Sequence, residues 1–131
     1  MTALTQNPTL GDLVKYELEP RYNREVVTLK SGASYAYAIG TVLGKITATG
    51  KYRASPIAEV VGDEGAENAC AVLLEIVDAT TADAIGLVAA RGPILFSKAA
   101  LAYDSSVDLD AEKAAKIAQL ATHGLVARDT A

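Results

Sequence analysis

From Arg24 onward the chain sets short β-branched runs between glycine- and proline-marked breaks, whereas residues 1–20 scatter a few apolar positions among Thr, Gln, Asn, Pro8, Gly11 and Pro20. So sparse a segment buries too little to offset the entropy of ordering, and residues 1–20 are expected to form a flexible N-terminal arm. The first predicted strand is Glu25-Val-Val-Thr-Leu29, closed by the Ser31-Gly32 turn signal. Tyr35–Thr49 predicts more strand, bent at Gly40 and Gly44 and followed by Gly50, as the corners of a small barrel require. After Tyr52, a polar stretch with Pro56, Gly62, Asp63, Glu64 and Gly65 predicts a surface loop with a short strand at Glu59–Val61.

In Cys70–Val77, Val72, Leu74 and Ile76 share one face and Leu73, Glu75 and Val77 the other. Only Glu75 is polar, which predicts a central strand. A turn at Asp78–Asp83 leads to a strand at Ala84–Arg91, ended by Gly92-Pro93, and Ile94–Tyr103 is assigned to further strand. The predicted helix is Asp110–His123, with Ala114, Ile117, Leu120 and Ala121 at 3.6-residue spacing and Asp108 or Asp110 as its cap. Gly124 is its left-handed stop, and Leu125–Arg128 a last short strand. The fold class is thus mainly β, a small glycine-bent, barrel-like domain over residues 21–131 with one C-terminal α-helix.

Composition narrows this further. At 131 residues the chain suits a single domain. Half the residues are apolar but only 5% aromatic, with one Phe and no Trp, so Val, Ile, Leu and Ala must fill the core. A net charge of −4 without any Lys/Arg run argues against nucleic acid or an anionic membrane as partner. Cys70 stands alone in an apolar run, which fits a reducing compartment, and no signal segment or membrane-spanning apolar stretch is legible.

Candidate chemistry is thin. Gly40-Thr-Val-Leu-Gly44-Lys45 has three residues between its glycines and Ile46 after the Lys, where a phosphate-binding loop needs four and a Ser or Thr. His123 is the single histidine, and at a helix end it suits the macrodipole better than a catalytic triad. Asp63, Glu64 and Glu67 lack the alternating spacing of a calcium loop and read as a solvated loop. Tyr35, Tyr37 and Tyr52 lack the basic density nearby that a nucleic-acid stacking platform needs, so they belong at the rim of the core or in an interface. No metal, cofactor or catalytic residue is assigned.

Gly40-Thr-Val-Leu-Gly-Lys-Ile-Thr47 with Gly50-Lys-Tyr52, Val72-Leu-Leu-Glu-Ile-Val-Asp78, Arg91-Gly-Pro93 and Gly124-Leu-Val-Ala-Arg128, preceded by Arg24-Glu-Val-Val-Thr-Leu29, resemble the bacteriophage head decoration family of lambda-type cementing proteins. The likeness runs from about Gly11 to Arg128 and rests on order and spacing. It implies a β-rich virion protein, made in the bacterial host cytoplasm, that trimerises at three-fold positions on the outside of the expanded head and stabilises it against internal DNA pressure. It also implies an N-terminal arm that orders against the major capsid protein, and no enzymatic activity. A C-terminal helix goes beyond the shortest members. The homotrimer is further motivated by the apolar faces of Cys70–Val77. Within the arm, Thr9, Leu10, Leu13, Val14 and Tyr16 are the expected capsid-binding residues, as an extended strand added to a sheet edge. A small-molecule-binding β-barrel module is the alternative, and an enzyme using backbone groups a third reading.

Overall fold

The computed structural model describes residues 9–129. Its elements are α1 (Leu10–Leu13), β1 (Val14–Glu17), α2 (Pro20–Asn23), β2 (Arg24–Leu29), β3 (Ala36–Tyr37), β4 (Val42–Lys45), β5 (Tyr52–Ala54), β6 (Ala69–Leu73), β7 (Val77–Asp78), β8 (Ala84–Ala89), β9 (Ile94–Ser97), a 3-10 turn (Lys98–Ala100), α3 (Asp110–Ala121) and β10 (Leu125–Arg128). The protein is mainly β, with its long helix at the C-terminal end. Strands β2-β5-β4-β6-β8 follow one another in closed order. The seam between β2 and β5 is narrow: one parallel pair, Leu29 with Tyr52, plus the bond from Lys30 N to Tyr52 O. A second sheet has the order β1-β9-β10, and β3 pairs with β7.

Two cores lie on either side of β6. Leu73 points inward with Leu29, Leu43, Val77 and Val88, while Val72 and Leu74 join Leu13, Phe96, Leu120 and Leu125 between the barrel and the flanking sheet. The near-continuous apolar character of this segment therefore has a cause inside one chain, and it does not call for a subunit interface. Beyond Leu73 the strand ends: Leu74 N bonds to Leu87 O, the chain turns through exposed Glu75 and Ile76, and Val77 starts the pairing with β3.

The glycine bends have steric causes. A Cβ on Gly44 would lie 1.9 Å from Ala66 O, and one on Gly40, whose φ is +86°, would lie 2.2 Å from Ala100 O. Both positions carry a crossing of backbone on backbone, a use of glycine unrelated to phosphate binding.

Several sequence expectations need correction. Residues 9–20 belong to the folded body. Thr9 caps α1 reciprocally with Asp12, Leu13 is 0% exposed, and β1 pairs antiparallel with β9. Residues 1–8, the rest of the expected arm, lie outside the described residues. No strand forms at Glu59–Val61, and Ile94–Tyr103 is strand only to Ser97 before the 3-10 turn. Of the expected helix stripe, Leu120 is buried and Ile117 packs against the outer core, but Ala114 and Ala121 are exposed and Lys116 is buried in their place. Neither Asp108 nor Asp110 caps the helix. The Glu112 carboxylate reaches back to accept from Asp108 N and Leu109 N, each at 3.1 Å.

Gly124 does end the helix region, at φ +77°. It also lets two backbones touch, since Gly92 N donates to His123 O at 2.9 Å and a Cβ on Gly124 would lie 3.0 Å from Gly92 Cα. Gly124→Val combines a left-handed backbone with that contact, so it should destabilise the protein by about 1–3 kcal/mol. A melting temperature equal to that of the parent would show that the position tolerates a side chain.

Candidate functional site

The polar chemistry of this protein gathers under one loop. In β5, between Tyr52 and Ala54, Arg53 is buried. Its Nη1 donates to Asp63 Oδ2 at 2.8 Å, Nη2 to Asp104 Oδ1 at 3.3 Å and Nε to Ala54 O at 3.0 Å. Lys30 Nζ takes the other Asp63 oxygen at 2.6 Å. Burial works to raise the Asp63 carboxyl, but the hydrogen bonds and charges of Lys30 and Arg53 outweigh it and hold the group below its ordinary value. The guanidinium lies 5.6 Å from the centre of the Tyr35 ring, which stacks on Tyr37 at 5.2 Å. The Tyr37 hydroxyl donates to Lys30 O at 2.8 Å, and burial pushes its ionisation well above the usual tyrosine range.

A second buried cation comes from α3. Lys116, 1% exposed, donates to Pro56 O and Glu67 O, both at 2.6 Å, and to Ser55 Oγ at 3.0 Å. Burial pushes its ammonium down, against the opposing charges of Glu67 and Asp104. Its acceptors are two backbone carbonyls and a hydroxyl, so its work is to tie two distant points of the chain together. Ser55 Oγ adds a bond to Ala66 O at 2.7 Å.

These contacts close the base of a loop from Pro56 to Glu67. Inside it, Asp63 N bonds to Val60 O, Gly62 N to a Glu64 carboxylate oxygen and Ile57 N to Ser106 Oγ, while Thr47 N bonds to Glu64 O. The result is a compact loop with joined ends. Its outer rim is apolar: Ile57 and Val60 are exposed and Val61 is 97% exposed, with Glu59 between them.

The residues nominated from sequence fall elsewhere. Thr9 Oγ1 accepts from Asp12 N; Leu10 and Val14 pack against the outer core, Leu13 lies in it, and Tyr16 is 52% exposed on the flanking sheet. They share one element pair but do not form an extended strand, because residues 10–13 are helical. Asp63 separates from Glu64 and Glu67: it is buried and ion-paired, while Glu67 accepts from Gly65 N. His123 is exposed, and its main-chain carbonyl holds Gly92 N. Cys70 is half-buried, and burial pushes its thiol up. Tyr35 and Tyr52 pack at the edge of the barrel core that contains Tyr37, the rim location expected for them.

Sequence reasoning missed Arg53 and Lys116. The signal for Lys116 was its place four residues before Leu120, on the same helix stripe. Arg53 offered none beyond a cation inside a short strand. Among the described residues no cluster of three His, Cys, Asp or Glu side chains suits a metal ion, and every buried side-chain nitrogen and oxygen has a partner. A surface hollow of about 450 Å³ lies between the 3-10 turn and α3, with Lys113 Nζ 5.6 Å from the centre of the Tyr103 ring.

Fold and site together define a small β-rich protein whose buried polar groups hold a surface loop in shape. The chain belongs to the bacteriophage lambda head decoration protein D family, whose model matches residues 3–125. Membership places it among structural proteins of the phage capsid. No match was found among the curated proteins.

Proposed function

We propose that this protein binds the outer surface of the expanded phage head as a homotrimer, seated on the major capsid protein, and that it stabilises the shell against the pressure of packaged DNA without catalysing a reaction. The observation that carries this reading is the family match over residues 3–125. The physical basis is linkage: a subunit that binds the intact lattice and not the disrupted one stabilises it by RT ln(1 + [L]/Kd) per site. Trimerisation adds to this, because one rigid body then engages neighbouring sites at high effective concentration, with avidity gains on the order of 100-fold.

Within this reading the N-terminal region remains a capsid contact. Thr9 and Tyr16 are its exposed members, Leu10 and Val14 are partly accessible, and Leu13 acts indirectly by anchoring the segment.

The test uses the full-length protein and expanded heads lacking it. Light scattering should give three times the chain mass, and cosedimentation should saturate at one trimer per three-fold position. Decorated heads should keep their DNA to a higher temperature than bare ones. A monomer in solution and on the head would refute the trimer; heads that neither bind the protein nor gain stability would refute the function.

A further inference from the structure

Loops on soluble proteins are usually polar at the tip, and the Pro56–Glu67 loop departs from that. Four of the six residues 57–62 are apolar, all six are exposed, and Val61 is almost fully in water. Its backbone is nevertheless held in place, with buried Lys116 bridging Pro56 O and Glu67 O at its two ends and buried Arg53, together with part-exposed Lys30, on Asp63. A protein gains nothing within its own fold from apolar side chains pointed at water. Holding them in one shape removes the ordering cost from a binding event.

We infer that residues 57–62 are a preformed docking knob that seats in an apolar hollow with basic side chains at its rim on the capsid surface, an inference that rests on the function proposed above. The partner's chemistry follows from the knob's own. Ile57, Val60 and Val61 supply an apolar centre, and the exposed charges beside them, Glu59 and Glu64, are both acidic. An apolar centre with a charged rim is the usual anatomy of a protein–protein contact.

Charge also distinguishes this partner from a second copy of the chain. An apolar hollow of about 300 Å³ between Ala36, Ile39 and Ile76 on this protein could accept a valine, but Asp78 lines it. Seating the knob there would bring Glu59 toward a like charge, a juxtaposition that interfaces avoid.

The experiment compares wild type, Val61→Ser and Glu59→Lys, all full-length, for binding to expanded heads at several salt concentrations, with melting temperature and light-scattering mass measured on each. Val61 is nearly fully exposed, so Val61→Ser should leave melting and mass unchanged while weakening head binding about tenfold or more, the effect of losing one buried aliphatic side chain. Glu59→Lys should weaken binding as well, and should flatten or reverse its salt dependence. Head binding by Val61→Ser equal to wild type would overturn the inference. So would a lowered mass for that variant, which would make the loop a contact between copies. If wild type itself failed to bind heads, the proposed function would fall first and the knob's partner with it.

Discussion

Asp63→Asn should cost this protein about 3–5 kcal/mol of stability, because it removes the anion shared by two cations while leaving Arg53 buried. The carboxylate accepts from Lys30 at 2.6 Å and from Arg53 at 2.8 Å; the amide that replaces it carries no charge and offers one oxygen where there were two. Asp104, at 3.3 Å, is then the one carboxylate left bonded to the guanidinium, beside the Ala54 carbonyl. Urea denaturation of both proteins at neutral pH measures the difference, and a loss below about 1 kcal/mol would mean that water or Asp104 compensates.

The same pair of proteins yields a pH signature. Asp63 titrates below 3.8 in the folded protein and near that value when unfolded, so the unfolded state binds the proton first as pH falls. Its contribution is complete above about pH 5 and is lost as the pH drops through the folded value. Asp83, held at about 2 by the hydrogen bond from Lys51 and then by those from Ser31, titrates in the same acid range. The difference between wild type and Asp63→Asn is therefore the informative quantity, and it should shrink steadily below pH 4. A difference constant from pH 7 to pH 2 would contradict the ion-pair account.

Deleting residues 2–19 is the other change with a large expected effect, and here the structure reverses what the sequence implied. An arm could be removed without harm to the body. The described segment, however, places Leu13 at 0% exposure in the outer core and pairs Val14, Tyr16 and Glu17 with Phe96, Leu95 and Ile94. Leu13→Ala alone should cost about 2–5 kcal/mol. The deletion also strips Leu10 and Val14 from the same core and frees one edge of β9, so its loss should exceed that of Leu13→Ala. Deletion of residues 2–8, by contrast, removes no residue of any described element. Calorimetry on the three variants orders them, and a 2–19 deletion that melts with wild type would restore the view of a dispensable arm. Capsid binding is interpretable only for the shorter deletion, since loss of binding by the longer one would mix a missing contact with a damaged fold.

The contrast at the N-terminus shows what a sequence reading can resolve. Thr9-Leu-Gly-Asp12 has the spacing of a capping box, but a four-residue helix shows no periodicity, and it is stable here only because Leu13 finds a core made by β9 and α3. The sites followed the same rule. The surface loop at 56–67 is legible in sequence, but its apolar tip of Ile57, Val60 and Val61 is not, because Glu59–Val61 reads there as strand. Nor is what holds the loop, because its anchors come from residues up to 61 positions away, as with Lys116 on Ser55.

What the sequence determined by itself were the features whose physics is local. These were the β-rich class, β2 from its β-branched run, β8 from the turn and the Gly92-Pro93 stop that bound it, the helix near residues 110–121, Gly124 as its left-handed stop, and the family likeness carried by motif order. Tertiary structure decided which side of an ambivalent pattern became interior. It turned Lys116 inward and Ala114 outward, gave β6 a core on each face, and folded residues 9–20 onto the body. A side chain's cost or gain on burial depends on partners that the chain brings together only when it closes. An ammonium with three oxygens waiting is stable inside, and the same ammonium on an isolated helix belongs in water.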